Sequence, residues 1–292
     1  MRAFLFPGQG SQKVGMAAGL PRERFAEADE ALGFSLSKII DEGPEAELTR
    51  TANTQPAILT VSIAWADQLT ARGVEAEIAA GHSLGEYSAL VYAGALAFAD
   101  AVRLVHLRGK FMQEAVPEGV GAMAAIIGLD ASTVADTCGE ASPDESDACQ
   151  PANFNGAGQV VIAGHKGAVE RAMGLAKQKG AKMVKALPVS APFHSALMAP
   201  AAERLQAELE RVRISPLRIP VVANVTAEAN RDASRVKELL YRQVTGSVRW
   251  EESVKYLESR GVDEAYEVGP GAVLASLLKR GAPSIKMGSL NG

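Results

Sequence analysis

Residues 76–90 read Ala-Glu-Ile-Ala-Ala-Gly-His-Ser-Leu-Gly-Glu-Tyr-Ser-Ala-Leu, and this stretch decides the fold class. Residues 76–80 are a short apolar run of strand character. Gly81-His82-Ser83-Leu84-Gly85 then turns directly into an Ala- and Leu-rich helical segment. Strand, tight turn and helix in that order are the unit of an α/β fold. Gly-x-Ser-x-Gly in that setting matches the nucleophile elbow, where glycines on both sides let the chain make a strained turn that pushes a serine Oγ into the open. Ser83 is therefore a candidate nucleophile; the plainer alternative is a glycine-flanked turn carrying a solvent-exposed serine.

Upstream, residues 3–6 predict a strand cut by Pro7-Gly8-Gln9-Gly10, and residues 54–72 predict a helix ended by Gly73. Downstream of residue 120 the texture changes. Strand signals at 121–127, 149–154, 159–163 and 183–189 alternate with helical segments at 131–138 and 166–179. The turn Asn155-Gly156-Ala157-Gly158 joins the middle two strands as a hairpin, because Asn and Gly tolerate positive φ. That order, βαββαβ, predicts a small ferredoxin-like unit inserted into a larger domain. A helix at 197–212, a strand at 219–223, a helix at 235–244 and a strand at 265–268 complete the larger one. The expected division is 1–118 and 190–292 for a discontinuous catalytic domain, with 119–189 as the small domain.

Composition bounds the function. The 292 residues carry 30 Lys+Arg against 34 Asp+Glu, a formal charge of −4 that argues against a nucleic-acid binder. Apolar residues make up 47% of the chain, enough to form a core. The longest apolar run, 90–99, is too short to span a bilayer, and the opening residues are too short for a secretory leader. Cys138 and Cys149 are too few for a disulfide scaffold and fit a reducing compartment. A cytoplasmic protein without membrane or nucleic-acid partners is expected.

A serine nucleophile needs a base, and the chain has four histidines. His82 would point away from Ser83 in an elbow. His106 and His165 lie among polar residues and read as surface side chains. His194, in Ala191-Pro192-Phe193-His194-Ser195, falls between a predicted strand and the next helix, where α/β folds place catalytic groups; the alternative is a packed loop histidine. Arg108 falls on the apolar helical face formed by Leu104, Val105, Leu107, Phe111 and Met112. A guanidinium there needs an anion or a route to water. Its partner is a protein carboxylate, making it structural, or a substrate carboxylate, making it a clamp; snorkelling is the third option. The Gly8–Gly10 loop lacks the third glycine of a dinucleotide fingerprint, since Lys13 stands there, and no HExxH or CxxC suggests a metal. Such a loop can instead aim the Gln9 backbone N–H, with that of Leu84, at a developing oxyanion.

These residues, with Thr54-Gln55-Pro56-Ala57, Arg108-Gly109, Asn153-Phe154-Asn155, residues 159–164 and Glu267-Val268-Gly269-Pro270-Gly271, resemble the malonyl-CoA:acyl carrier protein transacylases, the acyltransferase family of fatty-acid and polyketide synthesis. The resemblance implies an α/β-hydrolase-like large domain with a ferredoxin-like insert. It implies ping-pong malonyl transfer from malonyl-CoA to acyl carrier protein by a monomer without cofactor or metal. Carried over, Ser83 is nucleophile, His194 base and Arg108 the clamp on the malonyl carboxylate. Gln9 and Leu84 form the oxyanion hole, Gln55 belongs to the substrate site, and Phe193 narrows the pocket against branched acyl groups. The carbonyl that orients the histidine maps to Gln243, although Gly246-Ser247 stands where Asn-Pro is commoner. The readings to be distinguished are a polyketide-synthase acyltransferase, a serine hydrolase or thioesterase, and a non-catalytic carrier-protein scaffold.

Overall fold

The computed structural model describes residues 1–189 and 191–290. The chain runs β1 (Arg2–Phe6), α1 (Glu23–Leu32), α2 (Leu36–Glu42), α3 (Glu45–Thr49), α4 (Thr51–Ala71), β2 (Ile78–Gly81), α5 (Gly85–Tyr92) and α6 (Phe98–Glu114). It continues with β3 (Gly121–Ile127), α7 (Ala131–Ala141), β4 (Cys149–Gly156), β5 (Gln159–His165), α8 (Lys166–Gln178) and β6 (Met183–Ala186). Last come α9 (Ala199–Arg211), β7 (Val221–Val222), β8 (Ala229–Asn230), α10 (Val236–Thr245), α11 (Trp250–Ser259), β9 (Glu264–Glu267), α12 (Val273–Gly281) and β10 (Lys286–Met287).

Two sheets result. The larger has the order β10-β9-β1-β2-β7-β8 and is parallel except for the β7–β8 pair. Its central strand is apolar on both faces, as a covered parallel strand requires. Phe4 and Phe6 enter one core, with α4, α5 and α6, while Ala3 and Leu5 enter the other, with α11 and α12. The smaller sheet is antiparallel with the order β4-β5-β3-β6, the ferredoxin-like arrangement. Helices α7 and α8 cover one of its faces through Val134, Cys138, Val169 and Ala172. The other face, carrying Met123, Ala125, Val161 and Ala163, packs on Phe193. The hairpin closes as expected, with Gly156, Ala157 and Gly158 all at positive φ.

Three expected elements are shorter than the sequence suggested. The strand expected to reach residue 189 ends at Ala186, because Pro188 has no N–H to continue the ladder. The strand expected over 219–223 keeps only Val221 and Val222, following Pro220. The helix expected from 197 opens as a 3₁₀ turn, and α9 starts only at Ala199, with Pro200 in its first turn. The boundary placed at residue 190, and residues 291–292, lie outside the described residues.

The small sheet is fastened beside the large one. Strand β4 bridges the segment before α11: Phe154 N donates to Val248 O at 2.9 Å and Val248 N to Ala152 O at 2.8 Å. Ser247 Oγ also donates to Pro151 O. That segment directly follows α10, so the insert is tied to a helix that forms one wall of the site.

Candidate active site

Strand β2 ends at Gly81 in the elbow, and α5 begins at Gly85. A Cβ on Gly81 would lie 1.9 Å from the Gly85 carbonyl carbon, and one on Gly85 would lie 2.0 Å from Phe6 O, so neither position admits a side chain. Between them Ser83 takes φ +51°, a left-handed conformation that costs free energy for any L-residue with a Cβ. The Pro7–Gly10 loop closes over the elbow, since a Cβ on Gly8 would meet His82 O at 2.6 Å. Gln9 therefore borders the elbow. Leu84 caps α5, where helix geometry leaves the N–H without an intrahelical acceptor.

His194 Nε2 lies 2.7 Å from Ser83 Oγ. Its Nδ1 faces two carbonyl oxygens, Gln243 O at 2.8 Å and Gly246 O at 3.1 Å. Carbonyls only accept, so Nδ1 carries the proton and Nε2 presents a lone pair to the hydroxyl. Burial first, then the charge of Arg108, push the imidazole pKa down to about 3. The ring is neutral at physiological pH. Gln150, on β4, holds both elements behind the ring: its Nε2 donates to His194 O at 3.3 Å and Thr245 O at 3.4 Å, and its Oε1 accepts from Ala196 N at 3.1 Å.

Arg108 is 1% exposed, which excludes snorkelling. Nor does it pair with a carboxylate in any ion pair among the described residues. Its partners are neutral: Nη1 donates to Gln55 Oε1 at 2.8 Å, and Nη2 to Gln243 Oε1 at 3.0 Å and to Ser83 Oγ at 3.2 Å. Its Nε has no hydrogen-bond partner. Burial pushes the guanidinium pKa down, yet an arginine keeps its proton. The nearest approach to a counter-charge is indirect. Gln243 Nε2 donates to Glu86 Oε2 at 2.8 Å, and burial raises the Glu86 carboxyl to about 7. A buried cation with an unpartnered donor thus stands next to a serine that faces a neutral histidine.

Gln55 Nε2 also donates to Gln9 Oε1 at 3.3 Å, joining Arg108 to the loop. Phe193 is half-buried between the small sheet and the main core. Ser83, His194, Arg108, Gln55 and Gln243 thus lie in one hydrogen-bonded group, with Gln9 and Leu84 on its border. His82 turns away as expected, toward Asn155 Oδ1 at 2.9 Å. The surface reading of the other two histidines is corrected. His106 is half-buried, with Nδ1 2.8 Å from Ala52 O and its ring against Phe34, and His165 is half-buried against Ala148.

Three polar residues at the site were not singled out from sequence: Glu86, Gln150 and Asn224. Asn224 follows the 219–223 strand signal, and strands adjacent to the nucleophile strand deliver their C-terminal ends to the same crevice. That rule could have found it. Among the described residues no group of three or more His, Cys, Asp or Glu could hold a metal.

A doubly covered parallel sheet with a serine–histidine pair at its elbow and a buried arginine beside them defines an α/β protein built for acyl chemistry on serine. The chain belongs to the acyl transferase domain family, whose model matches residues 3–290. It is 52% identical to the malonyl CoA-acyl carrier protein transacylase of Escherichia coli K12, with 99% of this chain and 95% of that protein covered. Among solved structures it resembles an acyl carrier protein S-malonyltransferase from Vibrio cholerae, with a TM-score of 0.95, 46% identity and 98% and 95% coverage. It also resembles a malonyl-transacylase solved in complex with its type II PKS acyl-carrier protein, with a TM-score of 0.94, 46% identity and 98% and 94% coverage. The chain is an acyltransferase.

Proposed function

We propose that the chain transfers a malonyl group from malonyl-CoA to the phosphopantetheine thiol of acyl carrier protein, through a malonyl ester on Ser83, in the supply of fatty-acid synthesis. The observation that carries this reading is the buried Arg108 guanidinium, 3.2 Å from Ser83 Oγ and with an unpartnered Nε. A malonyl ester on Oγ places its free carboxylate within reach of those donors.

His194 Nε2 takes the Ser83 proton as Oγ attacks the thioester carbonyl, and the Gln9 and Leu84 N–H groups bind the oxyanion. The C–S bond breaks, and the proton passes from His194 to the CoA thiolate. The carrier thiol then gives its proton to His194 and attacks the ester, and Ser83 regains a proton as it leaves. The Gln243 and Gly246 carbonyls keep Nδ1 protonated throughout, the task of an aspartate in a three-member triad. The steps balance in protons and electron pairs, so no metal or cofactor is invoked. Gln55 holds Arg108 in place, and Phe193 narrows the acyl pocket.

We take residues 119–189 as the small domain and 1–118 with 190–292 as the catalytic one, and the protein as a cytoplasmic monomer with no nucleic-acid or membrane partner. No helix among the described residues is long and apolar enough to cross a membrane. Likeness to a transacylase solved with a type II PKS carrier favours one second reading, service to a polyketide synthase. Transfer from radiolabelled malonyl-CoA to carrier proteins of both pathways tests the assignment. The expected result is rapid labelling of a carrier by wild type and none by Ser83→Ala. Release of free malonate at a rate indifferent to carrier would make the protein a hydrolase instead.

A further inference from the structure

Asn224 is 1% exposed and follows β7. Strand β7 pairs with β2 in the register Ala79↔Val221 and Ala80↔Val222, which brings Asn224 alongside the elbow. Its side chain spans that elbow: Nδ2 donates to Gly81 O at 2.7 Å, and Oδ1 accepts from Ser83 N at 2.7 Å. Its own N–H donates to Glu86 Oε2 at 3.0 Å. Gln243 Nε2 reaches the other side of the same residue, donating to Ser83 O at 2.9 Å and to Glu86 Oε2 at 2.8 Å. Both peptide groups of Ser83 are therefore gripped by amide side chains from other elements, and one carboxylate holds both grips.

We propose that Asn224 is a positioning residue for acyl transfer: its amide bridges Gly81 O and Ser83 N–H, and so holds Ser83 Oγ in line with His194 Nε2. The proposal rests on the role given to Ser83 above. A serine at φ +51° relaxes toward ordinary conformations unless its surroundings over-determine it. Relaxation there rotates the Cα–Cβ bond and lengthens the 2.7 Å contact with His194. The bridge also occupies the Ser83 N–H, which leaves the Leu84 N–H as the elbow amide free to face an oxyanion. Arg108 makes no direct hydrogen bond to the Asn224 side chain; the two are linked through the Gln243 amide, which donates to Asn224 Oδ1 at 3.5 Å and accepts from Arg108 at 3.0 Å.

The test compares wild type, Asn224→Ala and the near-isosteric Asn224→Asp, which keeps the acceptor for Ser83 N–H and loses the donor to Gly81. Rates are expressed per active site titrated with a fluorophosphonate, and KM for malonyl-CoA is measured alongside. The expected result is a kcat loss of roughly ten- to a hundredfold for Asn224→Ala and at least as large a loss for Asn224→Asp, whose carboxylate oxygen faces Gly81 O where an N–H stood, with KM within about twofold. The second-order rate of fluorophosphonate labelling of Ser83 falls in parallel. That reagent needs no malonyl group, so it reads the grip even if malonyl-CoA is not the donor, and a wild type that labels but does not transfer malonate overturns only the substrate assignment. A purely structural role lowers the melting temperature or the number of titratable sites and leaves the rate per site unchanged. Wild-type kcat and labelling rate per site in Asn224→Ala, or in Asn224→Asp should the alanine variant not fold, would overturn the proposal.

Discussion

Replacing Arg108 by alanine separates recognition of the acyl carboxylate from the chemistry on Ser83. In the free site the guanidinium has one unpartnered donor, Nε, and a second, Nη2, whose contact with Ser83 Oγ at 3.2 Å is longer than a strong charge-assisted bond. A malonyl carboxylate can take both. Hydrogen bonds to charged groups contribute about 1.5–3 kcal/mol each. Desolvation of the incoming carboxylate offsets part of the pair, leaving about 3 kcal/mol, or roughly a hundredfold in kcat/KM. Acetyl-CoA carries no such anion and loses none of this. Removing the cation also relieves the second-largest cause of the lowered His194 pKa, which favours the base. Single-turnover acylation of Ser83 by malonyl-CoA and by acetyl-CoA, followed by intact mass, gives both rates on one preparation. A melting curve checks that Gln55 and Gln243, each losing a donor, still hold the fold. The expected outcome is about a hundredfold loss with malonyl-CoA and less than about fivefold with acetyl-CoA. Equal losses with the two donors would refute the clamp and leave Arg108 a structural residue.

Gly109→Ala tests how tightly α6 must approach α4, since the added Cβ would meet Thr51 O at 2.5 Å and Ala52 Cα at 2.8 Å. Overpacking of that kind costs about 1–3 kcal/mol, so melting should fall by several degrees and malonyl transfer should drop with it, because Arg108 is the preceding residue. Glu86→Gln should change the pH dependence of stability. Folding raises the Glu86 carboxyl from 4.5 to about 7, so its contribution of ~3 kcal/mol is complete below pH 4.5 and is lost as pH rises through 7. The melting temperature of Glu86→Gln minus that of wild type should therefore increase from pH 4.5 to pH 7.5; a constant difference would show that Glu86 is ionised throughout. Cys138 and Cys149 are buried free thiols, so Ellman's reagent should modify neither in the native protein and both after unfolding. Stoichiometric labelling of the native protein would place one of them at the surface.

The fold and the centre of the site were legible because their signals are local. An elbow needs glycines at both ends of a five-residue turn, and Gly81 and Gly85 are forced by backbone contacts under 2.5 Å. Arg108 was legible because a cation on an apolar helical stripe contradicts its surroundings. Glu86, Gln150 and Asn224 were not, because each acts through partners far along the chain: Asn224 grips Gly81 across 143 residues, and Gln150 grips Thr245 across 95. A polar residue after a strand or on one reads as surface until topology puts that strand beside another. The same reason explains the misread His106, whose acceptor at Ala52 lies on α4, 54 residues away. The strand signal at 183–189 overruns the strand for a local reason: apolar residues flank Pro188 on both sides, and periodicity does not register its missing N–H.

Gln243 shows why the parts of the site cannot be assigned one by one. Its backbone carbonyl fixes the His194 tautomer, its Oε1 accepts from Arg108, and its Nε2 donates to Ser83 O and Glu86. One residue thus touches His194, Arg108, Ser83 and Glu86. The charges follow from that arrangement. Arg108 has amide and hydroxyl oxygens and the Tyr87 ring against it, and its field adds to burial in depressing His194. A carboxylate held by Arg108 would oppose that field, while burial, the larger cause, stays.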